Sequence, residues 1–153
     1  MRSTARVLVA LATIAVPVTA QTMKESLDIK RQAIANQRRV LVSGALPLTD
    51  DEAKGFWPLY DAYEKQRGDI DERTNRLVAD FVAIEGNLSD TQAKAMLAVA
   101  LRLDDERLVA RRDALGRMSK VLPPRKLMRY FQIEQKLDAQ VRADISRQVP
   151  LTP

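Results

Sequence analysis

Two four-residue stretches fix where this chain can start helices. Thr49-Asp50-Asp51-Glu52 and Ser89-Asp90-Thr91-Gln92 each set a hydroxyl residue three positions before Glu or Gln. The hydroxyl oxygen accepts from an orphan backbone N–H of the first turn, and the longer side chain reaches back to the N–H of the capping residue. Apolar residues after both stretches recur at steps of three and four, the period of a helix buried on one side. Alternating β-branched residues, which a strand would need, are absent. The chain is rich in Ala, Leu, Arg, Lys and Gln and holds only five glycines, a composition that favours helix. The expected fold is all-α: four helices, including a long helical hairpin, elongated or cradle-like, with a closed four-helix bundle as the alternative.

The first helix is expected over residues 22–43, with Met23, Leu27, Ile34 and Leu41 on one stripe and Ser43-Gly44-Ala45-Leu46-Pro47 as a loop. The second follows the first capping box, and Phe56, Tyr60, Tyr63, Ile70, Leu77, Phe81 and Ile84 trace its apolar face toward Gly86. Pro58 removes one backbone bond there. Because the stripe keeps its phase across it, a kink is expected rather than a new helix. The third helix, after the second box, carries Leu97, Leu101, Leu108, Leu115, Met118 and Leu122 in near-heptad register, with Asp104 and Arg111 on the same stripe. At about 33 residues it would span ~50 Å. The fourth starts at Pro123-Pro124 and runs to about residue 148, with Leu127, Phe131, Leu137, Val141 and Ile145 inward and Glu134 among them. Helices this long in a single domain over residues 21–149 have stripes that are hard to bury within one chain, so a homodimer is expected. Residues 150–153, with Pro150 and Pro153, form a frayed tail.

The N-terminal segment reads as an export signal. Arg2 and Arg6 precede an apolar run over residues 7–18, and Val18-Thr19-Ala20 supplies the small residues of a cleavage site. The run falls well short of the ~20 apolar residues that cross a bilayer, so residues 1–20 are expected to be removed and the product to be soluble in the periplasm. Cleavage leaves 133 residues with 23 basic and 20 acidic side chains, a net charge of +3. That balance is too mild to call for a nucleic acid. The absence of cysteine rules out a disulfide framework.

Three helix starts share a pattern: Leu48-Thr49-x-x-Glu52, Leu88-Ser89-x-x-Gln92 and, more loosely, Leu122-Pro123-Pro124-Arg125-Lys126. An apolar residue, then Thr or Ser, then Glu or Gln resembles the LTxxQ motif of the Spy/CpxP family of periplasmic proteins. The third start departs from it, having neither the hydroxyl nor the amide. The resemblance implies helical, cradle-shaped dimers acting as ATP-independent chaperones or envelope-stress regulators. In the chain itself, Thr49, Glu52, Ser89 and Gln92 read as structural caps.

Charge is unevenly spread. Residues 50–85 hold ten acids and five bases, whereas residues 107–129 hold eight bases and one acid, Asp113. The candidate client-binding set is Arg107, Arg111, Arg112, Arg117, Met118, Lys120, Arg125 and Arg129, interleaved with Leu108, Leu115, Leu127, Met128, Tyr130 and Phe131. Cations raise the encounter rate and flexible apolar side chains adapt to many sequences, which suits loose capture of unfolding proteins. The competing reading puts the leucines in the core and the arginines on a solvated face paired to the acidic second helix. Phe56-Trp57-Pro58-Leu59-Tyr60 reads as core packing, with an exposed docking edge as the alternative. The expected function is a periplasmic ATP-independent chaperone that binds unfolding proteins and limits aggregation. The alternatives are a regulator that binds the periplasmic domain of a sensor kinase, or a metal-responsive protein of the same scaffold. Without imidazole or thiolate the usual transition-metal donors are missing. Carboxylates such as Asp104-Asp105-Glu106 or Asp69, Asp71 and Glu72 read as solvated helix surface. No catalytic residue, cofactor or metal site is expected, and no Gly-rich phosphate loop is present.

Overall fold

The computed structural model describes residues 18–147 and 149–151. Of the expected signal peptide, residues 1–20, residues 1–17 lie outside the described residues, as does the chain end after Leu151, and residues 18–20 are helical. Four α-helices are present: α1 (Val18–Ala45), α2 (Asp50–Ile84), α3 (Asp90–Met118) and α4 (Pro124–Ser146), with one 3₁₀ turn at Glu85–Asn87. The fold is all-α, and among the described residues there is no strand. α2 packs along both α3 and α1, and α4 returns against α1.

Both capping boxes form. The Thr49 N–H donates to Glu52 Oε2 at 2.8 Å and the Glu52 N–H to Thr49 Oγ1 at 3.3 Å. Ser89 and Gln92 repeat the exchange at 3.0 and 3.3 Å. The third start differs, since Pro123 caps α4 without a side-chain bond and Pro124 stands at the first helical position, where a missing N–H costs nothing. α2 runs unbroken through Pro58 over 35 residues, about 52 Å. Helix α1 continues through Ser43-Gly44-Ala45, where a loop was expected. The Leu46 N–H bonds the Val42 carbonyl at 2.9 Å and Arg129 Nε donates to the Ala45 carbonyl at 2.6 Å, so the end of α1 is satisfied from within and from α4.

The core gathers around Phe56, Tyr60, Tyr130, Met118, Val42 and Leu46, all buried. Phe56 contacts Trp57 and Tyr130 edge-on, with centroids 5.1 and 5.3 Å apart, and Tyr130 also meets Tyr60 at 6.2 Å. The aromatic segment is therefore core packing, with Trp57 half-buried under the Arg39 guanidinium 4.4 Å from its ring centre. At Gly55, α2 comes so close to the α3–α4 turn that a Cβ would stand 2.9 Å from Val121 Cγ1.

Leu41 of the expected α1 stripe and the first half of the expected α3 stripe face outward. Of the α1 stripe, Leu41 is exposed, whereas Arg38 and Val42 turn inward. The Met23, Leu27 and Ile34 side chains are outside the described set. In α3 the buried residues are Leu103, Ala110, Ala114 and Met118, while Leu97, Leu101 and Leu108 are 61%, 57% and 44% exposed. Of the expected α3 stripe only Leu115, Met118 and Leu122 reach the core. The buried face lies roughly 100° around the helix from the middle of the expected stripe at 100° per residue.

Candidate functional site

The basic stretch over residues 107–129 divides into cations held by the fold and cations left free of it. Arg107 is half-buried, with Nη2 3.1 Å from Asp71 Oδ1 and from Thr74 Oγ1 and Nη1 3.0 Å from Asp104. Arg111 Nη2 donates to Asp138 Oδ2 at 2.5 Å. Met118 is buried at 0% exposure and Tyr130 at 1%, so neither lies on a binding surface; Met118 was expected among the client contacts and Tyr130 interleaved with them, and both belong to the core. Arg112, Arg117, Lys120 and Arg125 are exposed and, among the described residues, have no carboxylate within ion-pair distance. Arg129 is exposed but engaged by Nε at the end of α1.

What the rotation of α3 removes from the core it adds to the surface. Leu97, Leu101, Leu108 and Arg112 fall within about 60° of one another around α3, and all four are exposed. A mixed apolar and cationic strip therefore exists on α3, keeping Leu108 and Arg112 of the expected set and adding Leu97 and Leu101. Contiguous apolar exposure of this kind marks interaction sites in soluble proteins.

Four of the six acidic groups weighed as cation ligands, Asp71, Glu72, Asp104 and Glu106, are engaged by arginines. Asp71 meets Arg107, Glu72 meets Arg76 at 2.9 Å, and Glu106 meets Arg73. The Arg73 bond holds the Glu106 carboxyl below the usual carboxylate range. Among the described residues no group of three His, Cys, Asp or Glu is arranged to hold a metal ion.

Sequence reasoning missed a buried ionic cluster to which every helix contributes. Arg38 of α1 bonds Glu134 and, at 2.6 Å, Asp138 of α4. Arg67 of α2 bonds Glu64 and lies 3.9 Å from Glu134 and 3.6 Å from Asp138. Arg111 of α3 completes the set from the other side of Asp138. Three guanidinium groups thus face three carboxylates. Burial pushes the Glu64 carboxyl up to about 7 against the pull of Arg67, and raises Glu134 despite Arg38 and Arg67. Burial opposes the Arg67 charge too, yet Glu64, Glu134 and Asp71 outweigh it and hold that guanidinium more firmly protonated than usual. Tyr63, Tyr130 and Glu134 line a pocket beside Arg111 with room for about one water molecule. The only sequence signal was Glu134 interrupting an apolar stripe, since its partner Arg38 lies 96 residues away and Arg67 stands on another helix.

The fourth helix start is tied to the first capping box: Lys126 Nζ donates to Glu52 Oε2 at 2.5 Å. That bond, together with the Thr49 N–H, lowers the Glu52 pKa. The looser third motif therefore supports the first rather than copying it. Comparison with protein-family models, with curated proteins and with solved structures found no match to this chain.

Proposed function

We propose that the protein is an exported, periplasmic, ATP-independent chaperone, similar in kind to the Spy/CpxP proteins, that holds unfolding proteins on the outer face of α3. The observation that carries this reading is the exposed row of Leu97, Leu101 and Leu108 beside Arg112. Isolated leucines on a surface are ordinary. Three on one face of a helix whose opposite face is already buried leave apolar area that no other part of the fold covers. Cations raise the rate of encounter, leucines accept many sequences, and weak plural contacts allow release without a nucleotide. A homodimer belongs to the same reading. Ile29, Ala33 and Val40 share the outer side of α1 and offer a second apolar face, so that pairing of copies leaves the α3 strip open.

The test is light scattering from an unrelated client unfolding without ATP. Suppression near stoichiometric amounts is expected, and Leu101→Asp/Leu108→Asp should reduce it several-fold with helicity unchanged. Arg112→Glu should slow capture, with the effect shrinking as salt rises. Absence of suppression across several clients would overturn general chaperoning and leave a single dedicated partner, such as a sensor-kinase domain, as the reading to pursue.

A further inference from the structure

Helix α4 turns most of its charge outward on one side. Of its three acids, Glu134 and Asp138 turn inward and are consumed by Arg38, Arg67 and Arg111, while Asp144 in the last turn pairs with Arg147. Its cations Arg125, Arg129 and Lys136 fall within about 40° of one another on the opposite side, and all three are exposed. Gln132, Gln140 and Met128, the last 54% exposed, fill out that face. Residues 114–143 contain no other acid. Among the described residues no carboxylate stands within ion-pair distance of these three cations. The row covers about 16 Å of helix, and Arg117 and Lys120, exposed at the α3–α4 turn, extend it.

A helix surface normally mixes charges that neutralise one another. Here the ionic cluster has drawn Glu134 and Asp138 into the interior, so from Arg125 to Lys136 the outer face keeps one sign only. The row is straight and lies on the outside of a helix, with no groove to grip a chain and one apolar side chain along it. An acidic polypeptide would need such features to fix its register. A plane of phosphates meets cations at every register. We infer that the outer face of α4, led by Arg117 and Lys120, docks the protein on a membrane surface rich in anionic phospholipid. The helix lies along the headgroups with Met128 among them. None of the described helices is long and apolar enough to cross the bilayer, so the association is peripheral. This surface is separate from the α3 strip.

Flotation of the full chain with vesicles tests it. Vesicles of phosphatidylcholine alone are compared with vesicles in which about a third is phosphatidylglycerol, at about 0.1 M salt. Binding should favour the anionic vesicles strongly and fall steeply with added salt. The triple variant Lys120→Gln/Arg125→Gln/Lys136→Gln should weaken it on the order of a hundredfold, from a few-fold per cation. Arg129 stays, because it holds the end of α1. A control triple, Lys65→Gln/Lys94→Gln/Arg102→Gln, removes equal charge from exposed positions on α2 and α3 and should bind like the wild type. Equal binding to both vesicle types would overturn the inference, since an apolar segment and not the cation row would then be responsible. Equal loss in both triples would overturn it as well, as would capture of poly-glutamate with no vesicle binding, which would assign the row to an acidic protein. Client suppression measured without vesicles separates the two readings: α4 variants should keep it and α3 variants should lose it.

Discussion

Arg38 shows how much one residue can carry in this chain. Its side chain is 2% exposed and its two terminal nitrogens serve two carboxylates. Breaking a buried pair by removing one partner leaves the other charge without compensation. Arg38→Met should therefore cost about 3–5 kcal/mol in urea unfolding, whereas Arg39→Met, at a half-exposed pair with Asp61, should cost under about 1 kcal/mol. Glu64 gives the cluster a pH dependence. Its folded pKa of about 7 stands above the ordinary 4.5, so between those values the folded chain holds a proton that the unfolded chain has released. Its contribution to stability is complete below about pH 4.5 and is lost as the pH rises through 7. Burial is its first cause, with Glu134 adding to it and Arg67 and Arg38 opposing. Between pH 5 and pH 8 the wild type should lose on the order of 2–3 kcal/mol more than Glu64→Gln. An unchanged slope in that variant would remove Glu64 as the source. The half-buried Glu52 and Glu106 act in the opposite sense, since their lowered pKa values favour folding above the ordinary range; the variant difference isolates Glu64 from them.

At the scale of elements, what was legible in the sequence was local. A capping box needs residues three apart, and Thr49→Ala and Ser89→Ala should each cost about 1 kcal/mol. Thr49→Ala should cost the more of the two, because Glu52 also anchors Lys126 of α4. The phase of α3 was not legible, and the reason is steric. Its core face uses Ala110 and Ala114 where α3 packs closely, and small residues carry little hydrophobic signal, while the leucines that stand out in the sequence face solvent. Ranking faces by side-chain size selected the wrong side. The buried ionic cluster was illegible for another reason: Arg and Glu read as surface residues unless their partners are known, and these partners come from four helices. Glycine positions sharpen the point about packing. Gly116 has open space where a Cβ would go, whereas at Gly55 a Cβ meets Val121. Gly116→Ala should stabilise by about 0.5–1 kcal/mol through helix propensity. Gly55→Ala should instead destabilise despite the same propensity gain, since the atoms to be moved include the Cβ of a β-branched residue, and Val121→Ala beside it should restore most of the loss.

Across the whole molecule, the ionic cluster is the point at which four helices meet, and this sets how the protein unfolds. α4 is anchored through Tyr130 in the aromatic core and through Glu134 and Asp138 in the cluster, with Lys126 and Arg129 adding ties near its start. Between them Glu134 and Asp138 reach Arg38, Arg67 and Arg111, so α4 cannot leave without exposing charges on α1, α2 and α3 together. Such coupling makes intermediates costly and unfolding all-or-none. Trp57 is the only tryptophan and sits on α2 under Arg39, so its fluorescence reports the α1–α2 contact, whereas far-UV circular dichroism reports all helices. In the wild type both signals should change at one denaturant concentration. Replacing Glu134 and Asp138 together by Leu removes the ties from α4 and leaves three arginines facing apolar carbon, so α4 should melt first and helicity should fall before the Trp57 signal. Charge contributes a second consequence, because the inward turn of these same two acids leaves the outer face of α4 cationic from Arg125 to Lys136. Coincident transitions in the double variant would show that apolar packing around Tyr130 alone holds α4, and the cluster would then be an internal charge store with no part in cooperativity.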